Sequence, residues 1–249
     1  CLVPMRILIS NDDGYLAPGI SALAKALEPI AEVAVVAPDS NRSGASSSLT
    51  LERPISVYEG KNGFLYTTGT PSDCVHIAVT GVLPWRPDLV VAGINHGQNM
   101  GEDTIYSGTV AAAMEGYLFD IPSIAFSQVD KGWAELESAA LIARDVILRV
   151  YDNLPKPFLL NVNIPNKPYA ELKKICATRL GRRHESEAVI REKDPFDREI
   201  FWIGPSGPVR DAGEGTDFHA IRNGHVSVTP LQLDWTHTSV LSDLKKILE

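Results

Sequence analysis

Residues 11–14 read Asn-Asp-Asp-Gly and follow directly on the apolar run Ile7-Leu8-Ile9. Two carboxylates about 4 Å apart repel by roughly 4 kcal/mol at an effective dielectric of 20. A fold relieves that repulsion by keeping one of them protonated or by placing a cation between them. Asn, Asp and Gly also favour ordinary turns, and an Asp-Gly pair alone would be read as one. The position of the pair at the end of a buried strand tips Asp12 and Asp13 toward a metal site. Two further loops carry side-chain oxygens: Ser43 in Asn-Arg-Ser-Gly, and Asn95 and Asn99 in a loop where Gly93, Gly97 and Gly101 recur. Glycines there permit close backbone approach. Oxygen-only candidates suit Mg²⁺, Mn²⁺ or Ca²⁺ rather than zinc. His96 lies among them, and a lone imidazole in such a loop reads as a hydrogen-bonding neighbour rather than a ligand.

A second kind of chemistry is offered by residues 106–116, Tyr-Ser-Gly-Thr-Val-Ala-Ala-Ala-Met-Glu-Gly. Ser107 and Thr109 are both N-cap types, and the run after Thr109 is a strong helix former. Free N–H groups at such a helix start bind phosphate. Ordinary capping explains the segment taken alone. Beside a metal loop at the same sheet edge, phosphate binding becomes the better reading, with Thr109 serving phosphate more than metal. A cation that polarises a phosphoryl oxygen, together with N–H groups that hold developing charge, is what hydrolysis of a phosphate ester requires.

The elements that must position these residues are legible as an alternation. Apolar runs at 6–10, 32–37, 88–93, 122–127 and 158–164 alternate with helical patterns at 18–28, 71–81, 109–118 and 133–151. Strand, helix, strand at this spacing predicts βαβ units and a parallel sheet, and continuous apolar strands predict burial on both faces. In such sheets ligands sit beyond the carboxyl ends of the strands, where the loops just described lie. From about 180 to 237 the chain turns rich in Gly, Pro and charge, with strand candidates at 198–204 and 225–231. This stretch reads as an antiparallel excursion, closed by a short amphipathic helix at 238–248. The expected organisation is a single domain over 5–249, with a core to about 180 and an excursion from about 181. Met5 reads as the natural start, with residues 1–4 left over ahead of it.

Composition narrows the class. The 249 residues are 44% hydrophobic and carry a formal charge of −8. An acidic chain is a poor candidate for binding DNA or RNA polymers, although a local site can still hold a small anion. Three scattered cysteines, Cys1, Cys74 and Cys176, suggest neither a disulfide framework nor a zinc knuckle. No apolar run approaches the ~18 residues of a membrane span, and no signal-like leader is visible. The expectation is a cytoplasmic protein with no membrane partner. Nucleophile-elbow, P-loop and dinucleotide glycine motifs are absent. The basic cluster at 182–184 reads as a solvated turn, and the four tryptophans read as packing residues.

The motifs RILISNDDG, VVAPDSNRSGASSSLTL, GTPSDCV, PDLVVAGINHGQNMGEDTIYSGTVAAAMEG, IPSIAFS and VSVTPL stand in the order found in the survival protein SurE family, which this chain resembles from Met5 to about residue 235. The resemblance implies a metal-dependent 5′/3′-nucleotidase of acid-phosphatase type, acting on nucleoside monophosphates and, in some members, short-chain polyphosphate. It implies one divalent ion per subunit, Mg²⁺ or Mn²⁺, held by Asp12, Asp13, Ser43 and Asn95. It implies phosphate surrounded by Asn99, Ser107, Gly108 and Thr109. Asp12, Asp13, Asn99, Ser107 and Thr109 are then the expected catalytic set. The implied fold is a Rossmann-like α/β core whose C-terminal hairpin and helix exchange between subunits of a homodimer or homotetramer. Whether water or Asp12 attacks phosphorus stays open at the level of sequence. Three other readings carry less. A receiver domain lacks its third aspartate here, and a dehalogenase-like phosphatase needs Asp-x-Asp. A non-catalytic Mg²⁺ and nucleotide sensor is the principal alternative.

Overall fold

The computed structural model describes residues 4–130, 132–183, 187–204 and 207–248. The first unit is built from β1 (Met5–Ser10), α1 (Pro18–Leu27) and β2 (Ala31–Pro38). In β1, Ile7 and Ile9 pack on one face and Leu8 on the other, and all three are fully buried. Each such side chain contributes about 1.5–3 kcal/mol through burial. α1 opens on Pro18, whose fixed φ suits the first helical position, and buries Ile20, Leu23, Ala24 and Leu27 along one stripe. Two short strands follow, β3 (Val57–Glu59) and β4 (Leu65–Thr67), then α2 (Pro71–Ile77), which runs on into a π-helical turn over Ala78–Val82. The capping box of α2 is complete. The Thr70 hydroxyl accepts from the Asp73 N–H, and the Asp73 carboxylate accepts from the Thr70 N–H.

The central alternation continues through β5 (Leu89–His96), α3 (Gly108–Leu118), β6 (Ser123–Gln128), α4 (Leu136–Val150) and β7 (Leu159–Ile164). All five long strands and all four long helices expected from the apolar pattern are present. α4 starts three residues later than its pattern implies, because Trp133 holds a positive φ of 56° and the chain becomes helical only after it. Beyond β7 come β8 (Ile175–Ala177), β9 (Ile190–Lys193), β10 (Glu199–Trp202), α5 (Asp217–Arg222), β11 (Val226–Pro230) and α6 (Thr238–Leu248).

Hydrogen bonding orders the main sheet β3-β4-β2-β1-β5-β6-β7-β11-β8, with β10 and β9 forming a separate antiparallel pair. β2, β1, β5, β6 and β7 are mutually parallel. α1 and α4 cover one face, α2 and α3 the other, so the core is two apolar layers on either side of one sheet. The excursion expected after residue 180 is split. Residues 190–202 leave as a hairpin, whereas β11 returns to the main sheet, antiparallel to β7 and parallel to β8. From β1 the chain winds outward to β2 on one side and crosses to β5 on the other. The strand order therefore reverses between β1 and β5, and that crevice is where open α/β sheets take their ligands.

Candidate active site

Asp12 and Asp13 lie just past the end of β1, in that crevice. Asn11 shapes the turn: its side-chain amide donates to the Gly14 carbonyl at 2.9 Å and its carbonyl accepts from the Gly14 N–H at 3.2 Å. The stretch is therefore a turn, made by Asn11, and the aspartates are left for other partners. Asp12 is 3% exposed. Its carboxylate accepts from the Thr109 hydroxyl, and its carbonyl accepts from the Arg42 N–H at 2.7 Å. Burial pushes the Asp12 carboxyl up to about 6, against the lowering effect of the Thr109 hydroxyl and with the Asp13 charge adding to the rise. Asp13 is also raised by burial, opposed by the bond from the His96 N–H at 3.1 Å. It accepts more weakly from the Asn41 amide at 3.4 Å. No lysine or arginine pairs with either carboxylate among the described residues.

The loops after β2 and β5 arrive at the same place. Ser43 is exposed on the first, one residue beyond the Arg42 N–H that bonds Asp12, and its own N–H donates to Asn41 at 2.8 Å. Asn95 stands near the end of β5, where the register against β6 shifts between Ala92 and Asn95. Gly93 makes that irregularity possible: its φ is +128°, and a Cβ there would lie 2.3 Å from the Phe126 carbonyl oxygen. The Asn95 amide donates to the Gly97 carbonyl at 2.9 Å, which leaves its oxygen facing away from that bond. His96 is occupied. Its Nε2 accepts from the Gly132 N–H at 2.8 Å and its ring stacks on Trp133 at 4.4 Å, so it is a hydrogen-bonding neighbour, as expected.

α3 points its first turn into the crevice. Ser107 is the N-cap and accepts from the Val110 N–H at 3.1 Å, so helix formation begins at Gly108. Thr109 is not a cap; it sits inside the first turn with its hydroxyl turned to Asp12. The N–H groups of Gly108 and Thr109 have no acceptor within the helix. At Gly108 a Cβ would lie 2.8 Å from the Asp12 Cβ and 3.0 Å from its Oδ2, so only glycine lets the helix start this close to the carboxylate.

Asn99 is 7% exposed and is tied to two neighbouring strands. Its side-chain amide donates to the Ser127 hydroxyl of β6, and its peptide is bonded by the side chains of Asn161 and Asn163 of β7. These three residues escaped the sequence reading. Their signal was available, since Asn161 and Asn163 alternate inside the otherwise apolar run Leu-Leu-Asn-Val-Asn-Ile. A cavity of about 550 Å³ opens beside Asn95 and His96, lined further by Gln98, Asp103, Asp130 and Arg183. It is the size of a small-ligand site. Arg183 comes from the C-terminal third: its N–H donates to Glu102 at 2.6 Å and its guanidinium pairs with Asp103 at 3.2 Å. It is thus part of a cavity wall rather than of a solvated turn; His184 of the same cluster lies outside the described residues. Buried Asp217 ties the regions together by accepting from the N–H groups of Gly101 and Gly181, each at 2.8 Å.

Whether the donors suit a cation follows from their chemistry. No group of three His, Cys, Asp or Glu converges among the described residues, so a bound ion would rest on two carboxylates and neutral oxygens. With the nearby imidazole nitrogen already engaged, the available donors are all oxygen, which fits a hard divalent cation.

Fold and site together define an α/β protein of the doubly wound type, with paired carboxylates and a helix N-terminus meeting at the switch point of its sheet. Residues 7–187 match the family described as survival protein SurE, and the chain belongs to that family. The crystal structure of the SurE protein from Aquifex aeolicus superposes with a TM-score of 0.87 at 44% identity, covering 98% of this chain and 100% of that one. Membership supports a phosphatase-type enzyme dependent on a divalent cation. Among the described residues no helix is long and apolar enough to cross a membrane.

Proposed function

We propose that the chain hydrolyses nucleoside 5′- and 3′-monophosphates to nucleoside and phosphate, with short-chain polyphosphate as a further substrate. The observation that carries this reading is the bond between the Thr109 hydroxyl and Asp12, which joins the first turn of α3 to the carboxylate pair. A place for a cation and a place for an anion thus share one contact. In this proposal Asp12, Asp13, Ser43 and Asn95 hold one Mg²⁺ or Mn²⁺ per subunit. Asn99, Ser107, Gly108 and Thr109 surround the phosphate. When bound, the cation supplies Lewis-acid polarisation of a phosphoryl oxygen. The chain's own part is electrostatic and positional. The Gly108 and Thr109 N–H groups face the region where charge builds on phosphorus, and Asn99 supplies a side-chain amide fixed from below. The cavity lined by Gln98, Asp103, Asp130 and Arg183 has room for a nucleoside leaving group.

We further propose a homodimer or homotetramer. In support, α6 has no buried residue and exposes Val240, Leu241, Leu244, Ile247 and Leu248, while the hairpin exposes Phe201 and Trp202. The test of the activity is phosphate release from a panel of nucleoside monophosphates, tripolyphosphate and an aryl phosphate, with Mn²⁺, with Mg²⁺ and with EDTA. Release that requires metal supports the proposal and ranks the substrates. Binding of metal and nucleotide without release under any condition points instead to a sensor.

A further inference from the structure

Strand β7 buries two asparagines where its neighbours are Leu159, Leu160, Val162 and Ile164. Asparagine is disfavoured in strands, and a buried amide costs stability unless it is hydrogen-bonded. Asn161 and Asn163 are two residues apart and so project from the same face of the sheet. Ser127 stands directly beside Asn163 in register on β6, and Asn95 stands beside Ser127 on β5. All three of Ser127, Asn161 and Asn163 are fully buried, and all three spend their side chains on one residue, Asn99. Asn163 makes a two-bond clamp on the Asn99 peptide: its oxygen accepts from the Asn99 N–H at 2.9 Å and its amide donates to the Asn99 carbonyl at 2.9 Å. Asn161 donates to the same carbonyl at 2.8 Å, and its own oxygen has no partner among the described groups. Ser127 accepts from the Asn99 side-chain amide at 2.8 Å. Backbone and side chain of one loop residue are thereby both fixed to the sheet.

We infer that Asn163, with Asn161 and Ser127, positions Asn99 so that its amide meets the phosphate group of the substrate. The inference rests on the phosphomonoesterase reading. Apolar side chains would satisfy the packing of this strand; the polar ones are accounted for by their common target. A donor must be held to a fraction of an ångström to act on a reacting phosphate, and a loop anchored to two strands meets that demand. No hydrogen bond of this arrangement goes to Asp12, Asp13, Ser43 or Asn95, and Asn95, the register neighbour of Ser127, spends its own amide on the Gly97 carbonyl, so loss of the clamp should weaken phosphate binding and leave the metal alone.

The test uses the full-length protein with saturating Mn²⁺ and compares Asn163→Ala and Ser127→Ala with the unaltered chain. The readings are KM and kcat on an aryl phosphate, binding of inorganic phosphate by calorimetry, Mn²⁺ affinity and Tm. Asn163→Ala is expected to weaken inorganic phosphate and raise KM by about tenfold or more, and to lower kcat, with Mn²⁺ affinity within about twofold. Ser127→Ala removes a single hydroxyl and guards against a failure of Asn163→Ala to fold; the same split at roughly threefold or more is expected. Unchanged phosphate affinity in a folded variant overturns the inference, and so does a parallel fall in phosphate and Mn²⁺ affinity, which marks general support of the loop. An unaltered protein that binds phosphate without hydrolysing any ester overturns the phosphomonoesterase reading, while the calorimetric comparison still decides the positioning role. An unaltered protein that neither binds nor hydrolyses overturns both.

Discussion

The crevice between β1 and β5 and the C-terminal hairpin with α6 are built on opposite terms. In the crevice, polar groups are buried and held: Asp12, Asn99 and Thr109 are all under a tenth exposed, and each has named partners. In the hairpin and α6, apolar groups are exposed without cover: Trp202, Ile203, Ile247 and Leu248 stand 62%, 91%, 78% and 76% exposed. Buried polar residues are retained at a cost to stability, which argues for chemistry. Large exposed apolar groups gathered on protruding elements argue for a surface that another chain covers. On the proposed reading, the place where the molecule reacts and the place where it associates are separate.

Breaking the carboxylate pair should have the largest effect. Asp12→Asn is expected to reduce phosphate release by about 10³-fold or more while Tm holds or rises, because it removes a repulsion between buried like charges. Near-normal turnover would show that the pair is not the cation site. Next in size is Thr109→Ala. Since the structure turns this hydroxyl to Asp12, Mn²⁺ and phosphate affinities should both fall, each by roughly tenfold. A loss confined to phosphate in paired titrations would return the hydroxyl to the anion.

A smaller and purely structural effect is expected at Asp73. Burial acts to raise its carboxyl, but the Thr50 hydroxyl at 2.6 Å and the N–H groups of Thr70 and Thr50 outweigh it and hold the group below its ordinary 3.8. A depressed folded-state value stabilises the protein above the ordinary carboxylate range, and the contribution is lost as pH falls through the folded value. Asp73→Asn should therefore cost about 1 kcal/mol near pH 7 by denaturant titration, with the gap to the unaltered chain closing below about pH 4. A gap constant down to pH 3 would contradict the assignment. The least effect on the chain's own core is expected from deleting residues 238–249, because α6 buries nothing within the chain. Its effect should appear in assembly, as a lower mass by light scattering; an unchanged mass would remove α6 from the association surface.

The sheet was legible where strands are long and buried. β1, β2, β5, β6 and β7 show as continuous apolar runs because helices cover both of their faces. Of the shorter elements, β10, β11 and α6 were legible at 198–204, 225–231 and 238–248, whereas β3, β4, β8, β9 and α5 were not. Every residue of β3 and β9 is exposed to solvent, so neither strand shows a buried apolar run, and α5 spans six residues, too few to show a period. The return of β11 to the core was hidden for another reason: its pairing with β7 joins residues more than sixty positions apart, and local pattern carries no record of such a partner. At the site, Asp12, Asp13, Asn95, Asn99 and Ser107 could be picked out because loops crowded with oxygen stand out against apolar strands. The supports beneath them could not be seen in the same way. Asn161 and Asn163 do break the apolar run of β7, but nothing local says that they and Ser127 share a target on a loop some sixty residues away from the asparagines. The direction of the Thr109 hydroxyl depends on a carboxylate ninety-seven residues away.

Among the described residues β8 joins the sheet only through β11, which lies between it and β7 although it follows β8 by about fifty residues. A chain emerging from the N-terminus therefore completes every strand of the switch point before it can close the far side of its own sheet. Until residues 226–230 are in place, β7 offers unpaired N–H and carbonyl groups along one edge, a ready template for another chain. Residues 226–230, in the last tenth of the sequence, are then what covers this edge at the end of synthesis, and a product cut short before Val226 leaves β7 as an open edge strand of the kind that pairs with other chains.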